Sequence, residues 1–262
     1  VDDLHVSYSA SHNRRGEVKA VRGLSFSMDH EKVGIVGESG SGKSSVARAV
    51  LGLLPPLAQV EAKRLSFDGR ALLGRSESQM RALRGKRLGF IPQDARMALN
   101  PVMTVGAQIA EACSGLTRRE ARRRVLEMLD AVRMDDPERV WGAYPHQLSG
   151  GMCQRAMIAM MLMPGPDLLI ADEPSSALDV HVRGDILKLM DEMARERGMG
   201  LLFISHDMNL VGAFCDRILV MYGGRILESL IAKDLVSRTG ARHPYTRGLM
   251  ACVPHLRKGQ EG

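Results

Sequence analysis

Gly37-Glu38-Ser39-Gly40-Ser41-Gly42-Lys43-Ser44 is the stretch whose reading decides the fold. It has the form G-x-x-x-x-G-K-[ST], and its surroundings suit that form on both sides. Before it, Val33-Gly34-Ile35-Val36 is a short apolar run fit for a buried parallel strand. After it, Ser45 to Leu54 has helical spacing and is predicted to stop at Pro55-Pro56. A strand, a glycine turn and a helix start point successive backbone N–H groups at one spot, where the helix dipole adds partial positive charge. Glycines let that backbone wrap an oxyanion without Cβ clashes. Lys43 is expected to reach the β- and γ-phosphates as a point charge, and the Ser44 hydroxyl to ligate Mg²⁺. At ordinary glycine usage such a pattern arises by accident in about one chain per hundred of this length, and the flanking strand and helix lower that further. The stretch predicts a nucleoside-triphosphate site.

The chain has 262 residues, enough for one large domain or a core with a small subdomain. With 45% hydrophobic and 25% charged residues it reads as an ordinary globular protein. No apolar stretch is long enough to span a bilayer, and no signal-peptide pattern opens the sequence. It begins at Val1 rather than Met, which points to a trimmed or late start. Cys113, Cys153, Cys215 and Cys252 lie far apart, so free buried thiols in a reducing compartment are expected rather than a zinc site or disulfides. A net charge of +6 permits contact with nucleic acid or an anionic membrane but identifies neither. Much of the excess sits in Arg118-Arg119-Glu120-Ala121-Arg122-Arg123-Arg124, read as the solvated face of a helix.

Residues 1–28 alternate apolar and polar around Leu4, Val6 and Tyr8, then Val18, Val21, Leu24, Phe26 and Met28, with a polar turn from Ser9 to Gly16. That predicts antiparallel strands beside the core. On spacing alone, Tyr8 reads either as a half-buried strand residue or as an aromatic shelf for a base. Arg64 to Asp68 is read as a strand entering the Asp68-Gly69 turn, and Leu88 to Ile91 as another that delivers Pro92-Gln93-Asp94. Residues 95–165 are rich in Ala, Met, Leu and Arg at helical spacing, which predicts an inserted helical subdomain. Residues 1–94 and 166–228 form the expected α/β core, and 229–262 a short helical tail. Leu168 to Ala171 is a strand ending in Asp172-Glu173, followed by a helix from about Val182 to Arg197. Gly200 to Ser205 is a strand ending at His206, and Tyr222-Gly223-Gly224 has a hairpin signature. Alternating strands and helices predict a mostly parallel sheet with an antiparallel N-terminal part.

In such sheets ligands bind beyond the carboxyl ends of strands, where Asp172, Glu173 and His206 all fall. Asp172 is expected to hold Mg²⁺ and Glu173 to polarise the attacking water. Leu148-Ser149-Gly150-Gly151-Met152 opens a second helix with glycines and a serine cap, a weaker anion-binding pattern. Two phosphate-grasping helix starts in one chain suggest a nucleotide sandwiched between two subunits.

Taken together, these motifs resemble the ATP-binding subunits of ABC transporters over nearly the whole chain. Gly37 to Ser44 resembles Walker A, Leu168 to Glu173 Walker B, Gln93 the Q-loop, Leu148 to Met152 the signature, Ser176 to Asp179 the D-loop, and His206 the switch histidine. The resemblance implies that Tyr8 stacks on adenine. It further implies that Gly37, Glu38, Ser39, Gly40, Ser41, Gly42, Lys43, Ser44, Ser45 and Gln93 bind nucleotide. Ser149, Gly150, Gly151 and Asp179 would act across a dimer interface. Ser44, Gln93 and Asp172 would surround Mg²⁺, while Glu173, His206 and Lys43 carry hydrolysis.

Finer similarity points to the peptide/nickel importer branch. It rests on Gln93-Asp94 with Leu99-Asn100-Pro101 and Thr104-Val105-Gly106, on Tyr144-Pro145-His146-Gln147, and on His243-Pro244-Tyr245-Thr246-Arg247-Gly248-Leu249 with Val253-Pro254. Met152 in place of the usual Gln resembles one of two paired, non-identical subunits in that branch. Ala95-Arg96-Met97-Ala98 departs from the branch pattern where the membrane subunits would dock. The cysteine-rich extension of some oligopeptide subunits is missing, so no iron–sulfur cluster is expected. The implied partners are a second ATPase subunit (the same or a different chain), two transmembrane permeases and, indirectly, an extracytoplasmic solute-binding protein. The implied place is the cytoplasmic face of the inner membrane, and the cargo stays open. Two rival readings are a nucleic-acid-associated ABC ATPase, suggested by the basic charge, and a cassette that binds ATP without hydrolysing it.

Overall fold

The computed structural model describes residues 1–9, 16–113, 115–175, 177–237 and 240–252. The polar turn over residues 10–15, Ser176 and Val253-Pro254 lie outside the described residues. In chain order the strands are β1 (Leu4–Ser9), β2 (Glu17–Leu24), β3 (Lys32–Val36), β4 (Ala58–Glu61), β5 (Ser66–Phe67), β6 (Arg70–Ala71), β7 (Leu88–Ile91), β8 (Leu168–Asp172), β9 (Gly200–Ile204), β10 (Arg217–Tyr222) and β11 (Arg225–Ile231). The helices are α1 (Lys43–Leu51), α2 (Glu77–Leu83), α3 (Ala95–Ala98), α4 (Val105–Ala110), α5 (Arg118–Ala131), α6 (Pro137–Gly142), α7 (Gly150–Leu162), α8 (Val180–Arg197), α9 (Met208–Phe214), α10 (Ala232–Ser237) and α11 (Pro244–Cys252).

The central sheet runs β11-β10-β3-β9-β8-β7, parallel from β10 to β7, with β11 added antiparallel at the edge. Its central strands β3, β9 and β8 are buried on both faces because both faces are covered. Ile35, Ile170, Leu202 and Ile204 point to one core, shared with α1 and with Leu4, Val6, Val21 and Leu24 of the antiparallel sheet β2-β1-β4. The alternate residues Val36, Leu169, Leu201 and Phe203 point to the other, with the helices. That split is the two-residue period of a strand read directly from burial. The pairing of β10 with β11 slips by one residue between Val220 and Met221.

Helices α3 to α7 pack on one another, α4 touching α5, α6 and α7. Val105, Ile109, Val125, Leu129, Val140 and Ile158 are fully buried there. On α5, Ala121, Val125 and Leu129 recur every four residues and face inward, leaving Arg118, Arg119, Arg122, Arg123 and Arg124 exposed. Cys153 and Cys215 are buried free thiols, and burial pushes the Cys215 thiol up to about 12. No helix among the described residues is long and apolar enough to cross a membrane.

Several boundaries differ from the sequence reading. Helix α1 ends at Leu51, three residues before the expected Leu54. Gly52 takes the left-handed conformation (φ 61°), the N–H groups of Gly52 and Leu53 turn back to Arg48, and the Arg84 guanidinium covers the carbonyls of Leu51 and Gly52. Helix α8 starts at Val180, two residues early, because Asp179 caps it. The expected strand from Arg64 to Asp68 is a two-residue hairpin of β5 and β6. Strand β4 and helix α2, opened by a Ser76–Gln79 capping box, have no counterpart in the sequence reading.

Candidate functional site

The strand order places four carboxyl ends side by side: β3, β9, β8 and β7. β3 runs into the glycine loop, β9 into His206, β8 into Asp172-Glu173 and β7 into Gln93. An open cleft of about 200 Å³ is lined by Ala20, Ser39, Gly40, Gly42, Lys43, Ser44, Ser45, Gln93, Asp172 and Glu173. Residues more than a hundred positions apart in sequence thus meet around one space.

The loop's glycines are required for different reasons. A Cβ on Gly42 (φ 99°) would lie 2.2 Å from the Ala20 carbonyl oxygen, and one on Gly37 2.0 Å from that of Met221. Gly42 is also the N-cap of α1 and has no side chain to occupy the first amides, which stay available to an anion. Lys43 folds back along the loop, its Nζ donating to the carbonyls of Gly37 and Glu38, both at 2.8 Å. Burial holds its ammonium below the usual lysine range, while the carboxylates of Glu173 and Asp172 pull the other way. A phosphate arriving there would add to the negative charge that Glu173 and Asp172 already set opposite Lys43.

Asp172 is the last residue of β8 and is buried. Burial pushes its carboxyl above the usual carboxylate range, and a hydrogen bond from the Ser44 side chain counters that. These two adjoining oxygen donors fit Mg²⁺, which takes few protein ligands and completes its shell with water and phosphate. Among the described residues, no group of three or more His, Cys, Asp and Glu could hold a metal by themselves.

Glu173 follows with a left-handed backbone (φ 53°), uncommon for a residue with a Cβ. Its N–H donates to the Ile204 carbonyl at 2.9 Å, which locks the turn onto β9. That turn aims the carboxylate at His206. Oε1 accepts from the His206 backbone N–H at 3.1 Å and lies 2.7 Å from Nδ1. The Glu173 side chain is 13% exposed and the His206 side chain 73%, so the pair joins a sheltered carboxylate to an open imidazole.

Other predicted residues lie elsewhere. Glu38 is exposed and does not line the cleft; its carbonyl takes Lys43 and its N–H donates to the Tyr245 hydroxyl. Gly37 and Ser41 also stand behind the lining. Tyr8 is half-buried, with its hydroxyl 2.9 Å from Ser45 Oγ, at the rim rather than in the cleft. Ser149 caps α7 by accepting from the Met152 N–H at 3.2 Å, and Ser149 and Gly150 are exposed. Asp179 caps α8, and the N–H groups of Val182 and His181 hold its carboxyl below the usual range. Gly151 and the Ala177 carbonyl are close neighbours, so the starts of α7 and α8 adjoin without entering the cleft. Sequence reasoning missed Ala20, which lines the cleft, and Gly224, whose N–H donates to the Ser41 carbonyl. The Tyr222-Gly223-Gly224 turn was legible, but its contact with the loop had no local signal.

Residues 21–176 match the protein family described as ABC transporter. A probable peptide ABC transporter ATP-binding protein of Sinorhizobium fredii is 48% identical over 93% of this chain and 73% of its own length. The dipeptide transport ATP-binding protein DppD of Bacillus subtilis is 43% identical over 98% of this chain and 76% of its own. The dimeric structure of a bacterial ABC transporter cassette superposes with a TM-score of 0.78, covering 88% of this chain and 97% of that one at 24% identity, a likeness of fold.

Proposed function

The chain belongs to the ABC transporter ATP-binding proteins, and from that premise we propose that it is the ATP-hydrolysing subunit of an importer for peptides or a related small solute. The observation that carries the reading is the convergence of four strand ends on one cleft, with Lys43, Ser44, Asp172, Glu173 and Gln93 lining it and His206 paired to Glu173. The α1 amides and Lys43 grip the phosphates of ATP. Ser44 and Asp172 would hold Mg²⁺, which neutralises charge building on the phosphate oxygens. Glu173 accepts the proton of the attacking water, and His206 steadies its carboxylate.

The start of α7 at Ser149, Gly150 and Gly151, exposed at its first two residues and with Asp179 beside it, fits a role toward ATP held by a second ATPase subunit. We take that subunit to be a different chain, on the resemblance carried by Met152. The helical segment 95–165 is the part that moves with closure, and Gln93 passes the movement to two transmembrane permeases at the inner membrane's cytoplasmic face. A solute-binding protein outside the membrane would choose the cargo. The test is to purify tagged chain from detergent-solubilised membranes and assay Mg²⁺-dependent ATP hydrolysis. Two permeases, a second ATPase and turnover are expected. Soluble nucleic-acid factors alone, or binding of ATP without turnover, would overturn the reading in favour of its two rivals.

A further inference from the structure

The C-terminal segment reaches back to the glycine loop across 207 positions of sequence. The Glu38 N–H donates to the Tyr245 hydroxyl at 3.3 Å, slightly longer than an ordinary N–H···O hydrogen bond. The Tyr245 ring lies 4.6 Å from that of Tyr222 at the end of β10. Within the hairpin turn, the Gly224 N–H donates to the Ser41 carbonyl at 3.1 Å. From β11, Glu228 clamps the segment: its carboxylate accepts from the N–H groups of Arg242 at 2.6 Å and His243 at 3.1 Å. The Tyr245 N–H in turn donates to His243 Nδ1 at 3.1 Å. The tyrosine is therefore placed by its own segment, by β11 and by an aromatic neighbour.

The Gly37–Glu38 peptide stands between two partners, Tyr245 on its N–H and Lys43 on its carbonyl, and Lys43 also holds the next carbonyl, that of Glu38. A phosphate entering the cleft competes for Lys43, so the carbonyls of Gly37 and Glu38 lose their donor when nucleotide binds. We propose that Tyr245 is a positioning residue for the nucleotide: its hydroxyl fixes the Gly37–Glu38 peptide while Lys43 exchanges loop carbonyls for phosphate oxygens. Docking of residues 240–252 and occupancy of the cleft are then coupled. Coupling is reciprocal, so bound nucleotide tightens the segment as much as the segment tightens nucleotide. This inference rests on the reading of the loop as a nucleotide site.

Tyr245→Phe keeps the ring on Tyr222 and removes only the acceptor. In the full chain it is expected to raise the Kd for ATP about three- to tenfold, the effect falling on affinity rather than kcat. Glu228→Ala, which releases the clamp, is expected to give a similar loss, and the double variant to add nothing to it. Hydrogen exchange supplies the second readout: ATP should slow amide exchange over residues 244–251 in the unaltered chain but not in Tyr245→Phe. Equal affinity for ATP in Tyr245→Phe and the unaltered chain, additive losses in the double variant, or equal protection in both chains would overturn the proposal. If the unaltered chain itself binds no ATP, the nucleotide reading fails and the proposal with it.

Discussion

Two helices in this chain begin on glycines, and they do so to opposite ends. Helix α1 starts at Gly42 with no side chain to take its first amides, and it faces a cleft walled by Lys43, Asp172 and Glu173. Helix α7 starts behind Ser149, whose hydroxyl already accepts from Met152 N–H, and Ser149 and Gly150 are exposed, outside the cleft that α1 faces. The first start is built to meet a ligand within its own chain. The second has one amide taken by its cap and opens outward, with room for something brought from outside. The same residue pattern thus separates into a site and half a site, according to what the fold sets opposite it.

The largest expected effect tests the wall of the first start. Glu173→Gln should lower ATP turnover by about 10²–10⁴-fold while leaving ATP binding in place, as followed by phosphate release and nucleotide titration. Near-normal turnover would remove the asymmetry in chemistry between the two helix starts. Lys43→Ala should weaken ATP affinity by about 10–100-fold, since it removes a charge-assisted contact, and isothermal titration checks it.

Asp172→Asn sharpens the contrast through stability. The raised carboxyl means that the folded chain holds the Asp172 proton more tightly than the unfolded chain does. Stability is therefore fully retained below the unfolded-state pKa and lost as pH rises through the folded value. The Asn variant escapes that loss, so its Tm without nucleotide should exceed that of the unaltered chain at neutral pH, and the gap should close on acidification. Thermal melts across pH read this directly. The smallest effect belongs to the second start: Ser149→Ala should cost about 1 kcal/mol of stability through the lost cap and leave ATP affinity of the isolated chain unchanged.

Much of the site was legible because its chemistry has fixed local spacing. Eight consecutive residues define the loop, and Asp172-Glu173 stands at the end of a four-residue apolar run. What was hidden came from long range. Nothing near Glu38 announces Tyr245, and nothing in Ala58-Gln59-Val60-Glu61 marks a strand until β1 pairs with it. The end of α1 and the start of α8 depart from their apolar spacing for a local reason: Gly52 terminates the one and Asp179 caps the other. Apolar spacing is likewise silent on α2, whose signal is the capping pair Ser76 and Gln79 rather than a stripe of apolar residues.

The one-residue slip between Val220 and Met221 also bears on how the chain behaves at high concentration. A long, flat outer strand offers unpaired amides and carbonyls to any neighbouring polypeptide and invites edge-to-edge association. Here the slip increases the local twist of β10 against β11, the outermost strand. Arg225 adds a charge to that margin, and Glu228 is engaged with the backbone of Arg242 and His243. The irregularity beside the glycine loop therefore doubles as a guard against self-templated aggregation.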